Sequence, residues 1–183
     1  FLALEPVIPE RLSAGGATTS GLLLFSGKSR NGSWGTLYET HGGGEGARID
    51  RDGAPVVRVH LSNVMNTPAE IIESEYPIRI ESQRLRRGSG GAGAHCGGEG
   101  LHREYLILAD DMSLTTMFER RIIPPYGLQG GEDGAPFRVN LVTADGRHKE
   151  LPGKTNIRLE NGDRVILESC GGGGYGVSLK EQI

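Results

Sequence analysis

The stretch Tyr38–Ala47, YETHGGGEGA, sets a carboxylate (Glu39) and an imidazole (His41) two residues apart, directly before Gly42, Gly43 and Gly44. Such a pattern suits three roles. A histidine followed by three glycines can supply backbone N–H groups to an oxyanion hole, as in lipases and esterases. A glycine-rich turn can cradle a phosphate. Glycines can also let one backbone pass close to another. The first role needs a nucleophile elbow, G-x-S-x-G. Ser29 has Gly27 before it but Asn31 after it, and Ser178 has Gly176 before it but Lys180 after it. The alternating βαβ pattern of such hydrolases is also missing.

Phosphate loops fare no better. A Walker loop needs G-x-x-x-x-G-K-[ST] between a strand and a helix. Gly27-Lys28-Ser29 has Leu22 where the first glycine belongs, and Gly153-Lys154-Thr155 has His148 there. Two stretches match G-x-G-x-x-G, at Gly88, Gly90, Gly93 and at Gly171, Gly173, Gly176. A dinucleotide turn must open a helix whose N-terminus faces the pyrophosphate. The first runs on into AHCGGEG and a strand, and the second into a short tail, so both read as glycine-rich turns.

Metal-ligating types are scattered. His95-Cys96 and His102 lie close in sequence, with His41, His60 and Cys170 far away. No C-x-x-C or H-x-x-x-H pair supplies the chelating spacing of a structural zinc site. His102 falls in an apparent strand, where it is expected to face solvent or make one hydrogen bond. This chain alone is therefore expected to bind no cofactor.

The elements that would carry these residues are mostly strands. One helix is legible, in NTPAEIIESEYP: Thr67 reads as its N-cap, Pro68 as the first helical residue and Glu70 as the partner in a T-x-x-E capping box. Pro77 ends it. VVRVHLS alternates weakly. PIRIESQRL alternates well, with Ile78, Ile80 and Leu85 as inward positions. LHREYLIL and MSLTTMF follow. FRVNLVTADGRHKELP carries Asp145-Gly146, a hairpin signal, and NIRLENGDRVILES carries a turn at Asn161-Gly162-Asp163. The expected fold class is α+β and β-rich: glycine-rich strands and hairpins with one short capped helix, part of a larger subunit.

Composition bounds the partners. The 183 residues carry a formal net charge of −3, which favours neither nucleic acid nor an anionic membrane. Glycine is the outlier, at 30 residues against a usual share of roughly 7%. The glycines cluster at 42–46, 88–100, 127–134 and 171–176. The longest apolar run, GLLLF from Gly21, is far too short to span a bilayer. Two cysteines, Cys96 and Cys170, make no disulfide scaffold, so free thiols and a cytoplasmic setting are expected.

Several long stretches agree together with one family. YETHGGGEGAR, NVMNTPAEIIESEYPIRIESQRLRRGSGGAGAHCGGEGLHREY, FERRIIPPYGLQGGEDGAP and LPGKTNIRLENGDRVILESCGGGGYG resemble, in order and spacing, the C-terminal part of the hydantoinase B/oxoprolinase B-type subunit. The resemblance divides the chain into a loosely matched segment, 1–37, and a hydantoinase B-like C-terminal region, 38–183. It implies an ATP-dependent, metal-dependent hydrolase of cyclic amides (hydantoins, 5-oxoproline, lactams), with ketone carboxylases as relatives. It also implies a hetero-oligomer. An A-type subunit would bind ATP, and the N-terminal portion of the B subunit would carry a divalent metal on His and Asp residues. A chain beginning at Phe1 is expected to be one section of such a subunit, inactive alone toward ATP or hydantoin.

Two positions depart from the family pattern: His41 stands where an aliphatic residue is usual, and Cys170 where proline is usual. The substrate-proximal candidates are Glu39, His41, Gly42, Gly43, Gly44, Asn63, Asn66 and Glu70, with no confident catalytic residue and no metal ligand. Asn63 and Asn66 would offer amide groups before a helix N-terminus, whose dipole favours an anion. Their alternative role is to close the turn on their own backbone. The competing function is a non-catalytic assembly module of an ATP-dependent ketone carboxylase complex. A stand-alone glycine-rich binding domain fits less well.

Overall fold

The computed structural model describes residues 2–58 and 65–178. After two short 3-10 turns (Leu2–Leu4 and Pro9–Arg11), the chain runs through β1 (Leu22–Lys28), β2 (Trp34–Glu39), α1 (Ala69–Glu75), β3 (Ile78–Arg86), β4 (Gly100–Ile107), β5 (Met112–Met117), β6 (Arg138–Val142), β7 (His148–Glu150), β8 (Lys154–Leu159) and β9 (Arg164–Glu168). The strands form two antiparallel sheets, ordered β2-β1-β5-β8 and β3-β4-β9-β6-β7. This is the β-rich α+β architecture that the alternation and turn signals predict.

The two sheets share one core. Leu23, Phe25, Leu114 and Leu159 of the first sheet cluster with Ile78, Tyr105, Val139 and Leu167 of the second. Phe25 and Tyr105 meet across the layers with ring centroids 5.0 Å apart. On β4 Leu101, Arg103, Tyr105 and Ile107 alternate into the core, and His102 on the opposite face is buried as well.

Turns behave as their residues dictate. Gly146, with φ of 85°, closes the β6–β7 hairpin at the Asp145-Gly146 signal. The Asn161–Asp163 turn is not a hairpin. It hands the chain from β8 in the first sheet to β9 in the second. Asp163 is buried there, and its carboxylate accepts hydrogen bonds from the backbone N–H of Ala144 and Glu160, both at 3.0 Å. VVRVHLS gives only a bridge from Val57 to Gly43 among the described residues.

The capping box does not form. Helix α1 starts at Ala69, Pro68 occupies the cap position, and no side chain caps it. The helix starts one residue later than a Thr67 cap requires, and the Thr67 hydroxyl instead donates to the Glu39 carboxylate. Glu70 lies exposed on the first turn. With seven residues, α1 is too short to present the anion-favouring N-terminus expected beside Asn66.

The glycine clusters build a second body beside the sandwich. Extended segments lie side by side and trade backbone hydrogen bonds. Gly98 N–H donates to the Glu45 carbonyl at 2.8 Å, Gly172 to Gly98 at 2.9 Å, and Gly91 to Gly172 at 2.8 Å. No side chain fits between them. A Cβ on Gly44 would sit 1.9 Å from the Gly98 carbonyl oxygen, and one on Gly172 would sit 1.9 Å from that of Glu45. The two G-x-G-x-x-G stretches are neighbours in this stack. A small apolar cluster of Leu12, Ala14, Ala47, Leu128 and Tyr175 packs with it.

Candidate functional site

The Tyr38–Gly46 turn joins the two bodies, and its residues part ways. Glu39, the last residue of β2, points into the sandwich. Its side chain is 3% exposed and that of Arg103, on β4, is 0% exposed. The Arg103 Nη1 donates to Glu39 Oε2 at 2.7 Å. The Arg103 Nη2 donates to the Thr67 backbone carbonyl at 3.1 Å, and the Thr67 side chain bonds the Glu39 carboxylate. Burial pushes the Glu39 carboxyl above its ordinary range, while the Thr67 bond and the Arg103 charge pull it back.

Glu39 opens on a cavity of about 260 Å³ lined by Ser20, Tyr38, Glu39, Thr40, Arg58, Met65 and Thr67. Arg58 Nη1 donates to the Ser20 carbonyl at 3.3 Å, and Arg58 and Glu39 both line this space. A cavity with these walls can hold a small polar ligand. The carboxylate accepts an N–H or a water proton, and Arg58 and the hydroxyls bind carbonyl or anionic oxygens.

His41, fully buried two residues on, is spoken for on both nitrogens. Nδ1 lies 2.6 Å from the Gly21 carbonyl oxygen and Nε2 lies 2.7 Å from the Tyr105 hydroxyl. A carbonyl only accepts, so Nδ1 carries the proton and the Tyr105 O–H donates to Nε2. Burial lowers the His41 pKa to about 3 and raises that of the Tyr105 hydroxyl. His41 is thus a neutral strut with no lone pair to spare for a metal or a proton transfer.

The glycines after it are equally committed. The N–H of His41 donates to Ser20, that of Gly43 to Val57 and that of Gly44 to Cys170, at 3.1, 3.3 and 2.9 Å. The N–H groups of Gly43 and Gly44 therefore do not form an oxyanion hole. Asn66 is half-buried in the approach to α1, and Asn63 lies outside the described residues.

Lys28 ends β1 and Lys154 begins β8, so neither lysine opens a phosphate-binding helix. His102 is buried rather than solvent-facing, 3.4 Å from Arg84 Nη2 and 3.7 Å from Glu168 Oε1. Among the described residues, no three His, Cys, Asp or Glu side chains converge as ligands. The described residues of this chain do not fit a divalent metal. Cys96 is an exposed free thiol and Cys170 a buried one.

The sequence alone did not mark Arg103, Thr67 and Tyr105 as parts of this site. Arg103 lies 64 residues from Glu39, and no local pattern links them. The one clue was that Arg103 stands on the same strand face as Leu101, Tyr105 and Ile107, where a buried charge needs a partner.

The matches to other proteins accord with this architecture. The Hydantoinase B/oxoprolinase family profile matches residues 1–178. The chain belongs to that family. It is 39% identical over 183 residues to an uncharacterised protein of Methanocaldococcus jannaschii, covering 100% of this chain and 31% of that protein. It is 38% identical over 142 residues to 5-oxoprolinase 1 of Arabidopsis thaliana, covering 78% of this chain and 11% of the plant protein.

Among solved structures, the ATP-dependent caprolactamase of Pseudomonas jessenii superposes with a TM-score of 0.82 at 27% identity, over 98% of this chain and 33% of its own. Acetone carboxylase shares the fold, with a TM-score of 0.79 at 18% identity, over 94% of this chain and 28% of its own. The chain spans a third or less of the length of each of these proteins. No helix among the described residues is long and apolar enough to cross a membrane.

Proposed function

We propose that this chain forms one wall of the substrate site in the B-type subunit of an ATP-dependent cyclic-amide hydrolase. The observation that carries the reading is Glu39: its carboxylate is buried and held by Arg103 and Thr67, and the residue lines a cavity of about 260 Å³. A desolvated carboxylate in such a place orients an N–H or a water by accepting its hydrogen bond. Arg58 at the same wall suits a carbonyl or carboxylate of the ligand. His41 and the glycines after it hold the turn that aims Glu39.

The family and the caprolactamase likeness support an activity on cyclic amides with ATP. ATP would be bound by an A-type subunit, and a divalent metal by the N-terminal portion of the B subunit. The contribution of this chain is binding, orientation and exclusion of water.

The test is turnover by the full-length subunit assembled with its partner. Opening of 5-oxoproline, hydantoin or caprolactam is measured with and without ATP, in wild type and Glu39→Gln. The reading requires ATP-dependent opening of one amide and a loss of about tenfold or more in the variant, on the order of 1.4 kcal/mol in the barrier. An assembled complex that carboxylates acetone and opens no amide would instead make the chain an assembly module of a ketone carboxylase.

A further inference from the structure

Arg103 does not itself line the cavity, yet it hydrogen-bonds two residues that do. Its Nη1 holds the Glu39 carboxylate at the end of β2, and its Nη2 holds the Thr67 carbonyl ahead of α1. These residues lie 28 apart in sequence, and β4 stands behind both. The guanidinium is itself fixed, 5.2 Å over the Tyr105 ring, whose hydroxyl is tied to His41.

We propose that Arg103 is a positioning residue, a cross-brace whose planar fork fixes the Glu39 carboxylate and the Thr67 backbone together, and with them two adjoining parts of the cavity wall. The proposal rests on the assignment of this cavity as the substrate site. It goes further by naming what fixes these parts of its wall. Two properties of the guanidinium are separable. Its charge favours the ionised form of Glu39, and its rigid fork spans two acceptors at once, which an ammonium does not reproduce. The remaining nitrogen, Nε, is buried without a partner among the described residues, a cost consistent with a side chain placed for its two outer donors.

The charged group acting on Glu39 is Arg103 from β4, while the charge of Arg58, which lines the same cavity, acts on His41. His41 beside Glu39 is neutral, and the Tyr105 hydroxyl stays protonated. Removing the Arg103 charge therefore raises the Glu39 pKa further, and an activity that needs the carboxylate ionised loses its acid limb at a higher pH.

The experiment compares Arg103→Lys and Arg103→Met with wild type in the full-length, assembled complex. Hydrogen exchange of peptides spanning 37–41 and 65–72 reads the brace directly and needs no substrate. Steady-state kinetics follow on the amide that the wild type opens. Both variants should exchange faster than wild type in the 65–72 peptide by about tenfold or more. Arg103→Lys should raise KM with the acid limb unmoved. Arg103→Met should lower kcat and move the acid limb upward.

Unchanged exchange at 65–72 in an assembled variant overturns the brace. If Arg103→Met fails to assemble, Arg103→Lys decides alone by the same exchange measurement. Faster exchange in Arg103→Lys beside wild-type turnover in Glu39→Gln keeps the brace and removes Glu39 from the substrate site. Unchanged exchange beside a slow Glu39→Gln does the reverse.

Discussion

The turn from Tyr38 to Gly46 is held in two ways. Its first half is held by side chains: Glu39 by Arg103 and Thr67, and His41 by Tyr105 and the Gly21 carbonyl. Its second half is held by backbone alone, with Gly43 and Gly44 bonded to Val57 and Cys170 and packed where no Cβ fits. The side-chain half buries polar groups at a cost and leaves a cavity beside a carboxylate. The backbone half satisfies its amides within itself and leaves no room for a ligand. Glycine density in this protein therefore goes with backbone-to-backbone packing, and the buried polar side chains collect where the glycines stop.

Substitution in the backbone half should do the most damage. Gly44→Ala drives a methyl to within 1.9 Å of a carbonyl oxygen that is itself locked in the stack. A loss of about 3 kcal/mol or more in a denaturant titration is expected. Gly146, at the hairpin tip with nothing within 4 Å of a Cβ, is the control. Alanine there costs about 1 kcal/mol, from its positive φ alone. Equal losses at the two sites would erase the distinction between a packed stack and ordinary turns.

In the side-chain half, His41→Leu strands the Tyr105 hydroxyl and the Gly21 carbonyl. A loss of about 1–3 kcal/mol is expected, with partial recovery in His41→Leu, Tyr105→Phe as a pair. The pH dependence has a definite sign. His41 is held far below its unfolded pKa, so its contribution is complete above pH 6.5 and is lost as pH falls toward about 3. The slope is about 1.4 kcal/mol per pH unit at most. Glu39 is shifted the other way and offsets part of this, since its raised carboxyl binds a proton more readily when folded. The difference between wild type and His41→Leu isolates the histidine, and parallel pH curves would contradict its neutral, buried state.

The smallest effect belongs to Thr67. As a bond to Glu39 rather than a helix cap, its loss in Thr67→Ala should cost about 1 kcal/mol or less. The substitution should also raise the Glu39 pKa, and Thr67→Ser should restore both. Restoration by Asp, a good cap but a repulsive neighbour for Glu39, would point back to the cap.

Thr67 also shows how far the sequence could be read. T-x-x-E before an apolar pair is a sound local signal, but the helix starts one residue late, at Ala69, and the Thr67 side chain turns to the Glu39 carboxylate, 28 residues away. Local periodicity was legible in β3, β4, β5 and the β6–β7 hairpin, because each alternates or carries its own turn residues. The β1–β2 hairpin carried such a signal too, Asn31-Gly32, with Gly32 at a φ of 84°. The GLLLF run had stood only as an apolar stretch. Which strands share a sheet was not legible, since Asn161–Asp163 looks the same whether it closes a hairpin or crosses between layers. In the site, Glu39 and His41 stood out by type and spacing. Arg103 and Tyr105 did not, because their contacts exist only once β4 lies behind β2.

Glu39 is the group on which the proposed role of this cavity depends. The most direct measurement is kcat/KM for ATP-dependent amide opening by the full-length assembled complex, with Glu39→Gln beside wild type. A loss of about tenfold or more, with assembly and unfolding midpoint close to wild type, is the predicted result. Wild-type kcat/KM in the folded, assembled variant would contradict it and turn the side-chain half of the turn, like the glycine half, into scaffold.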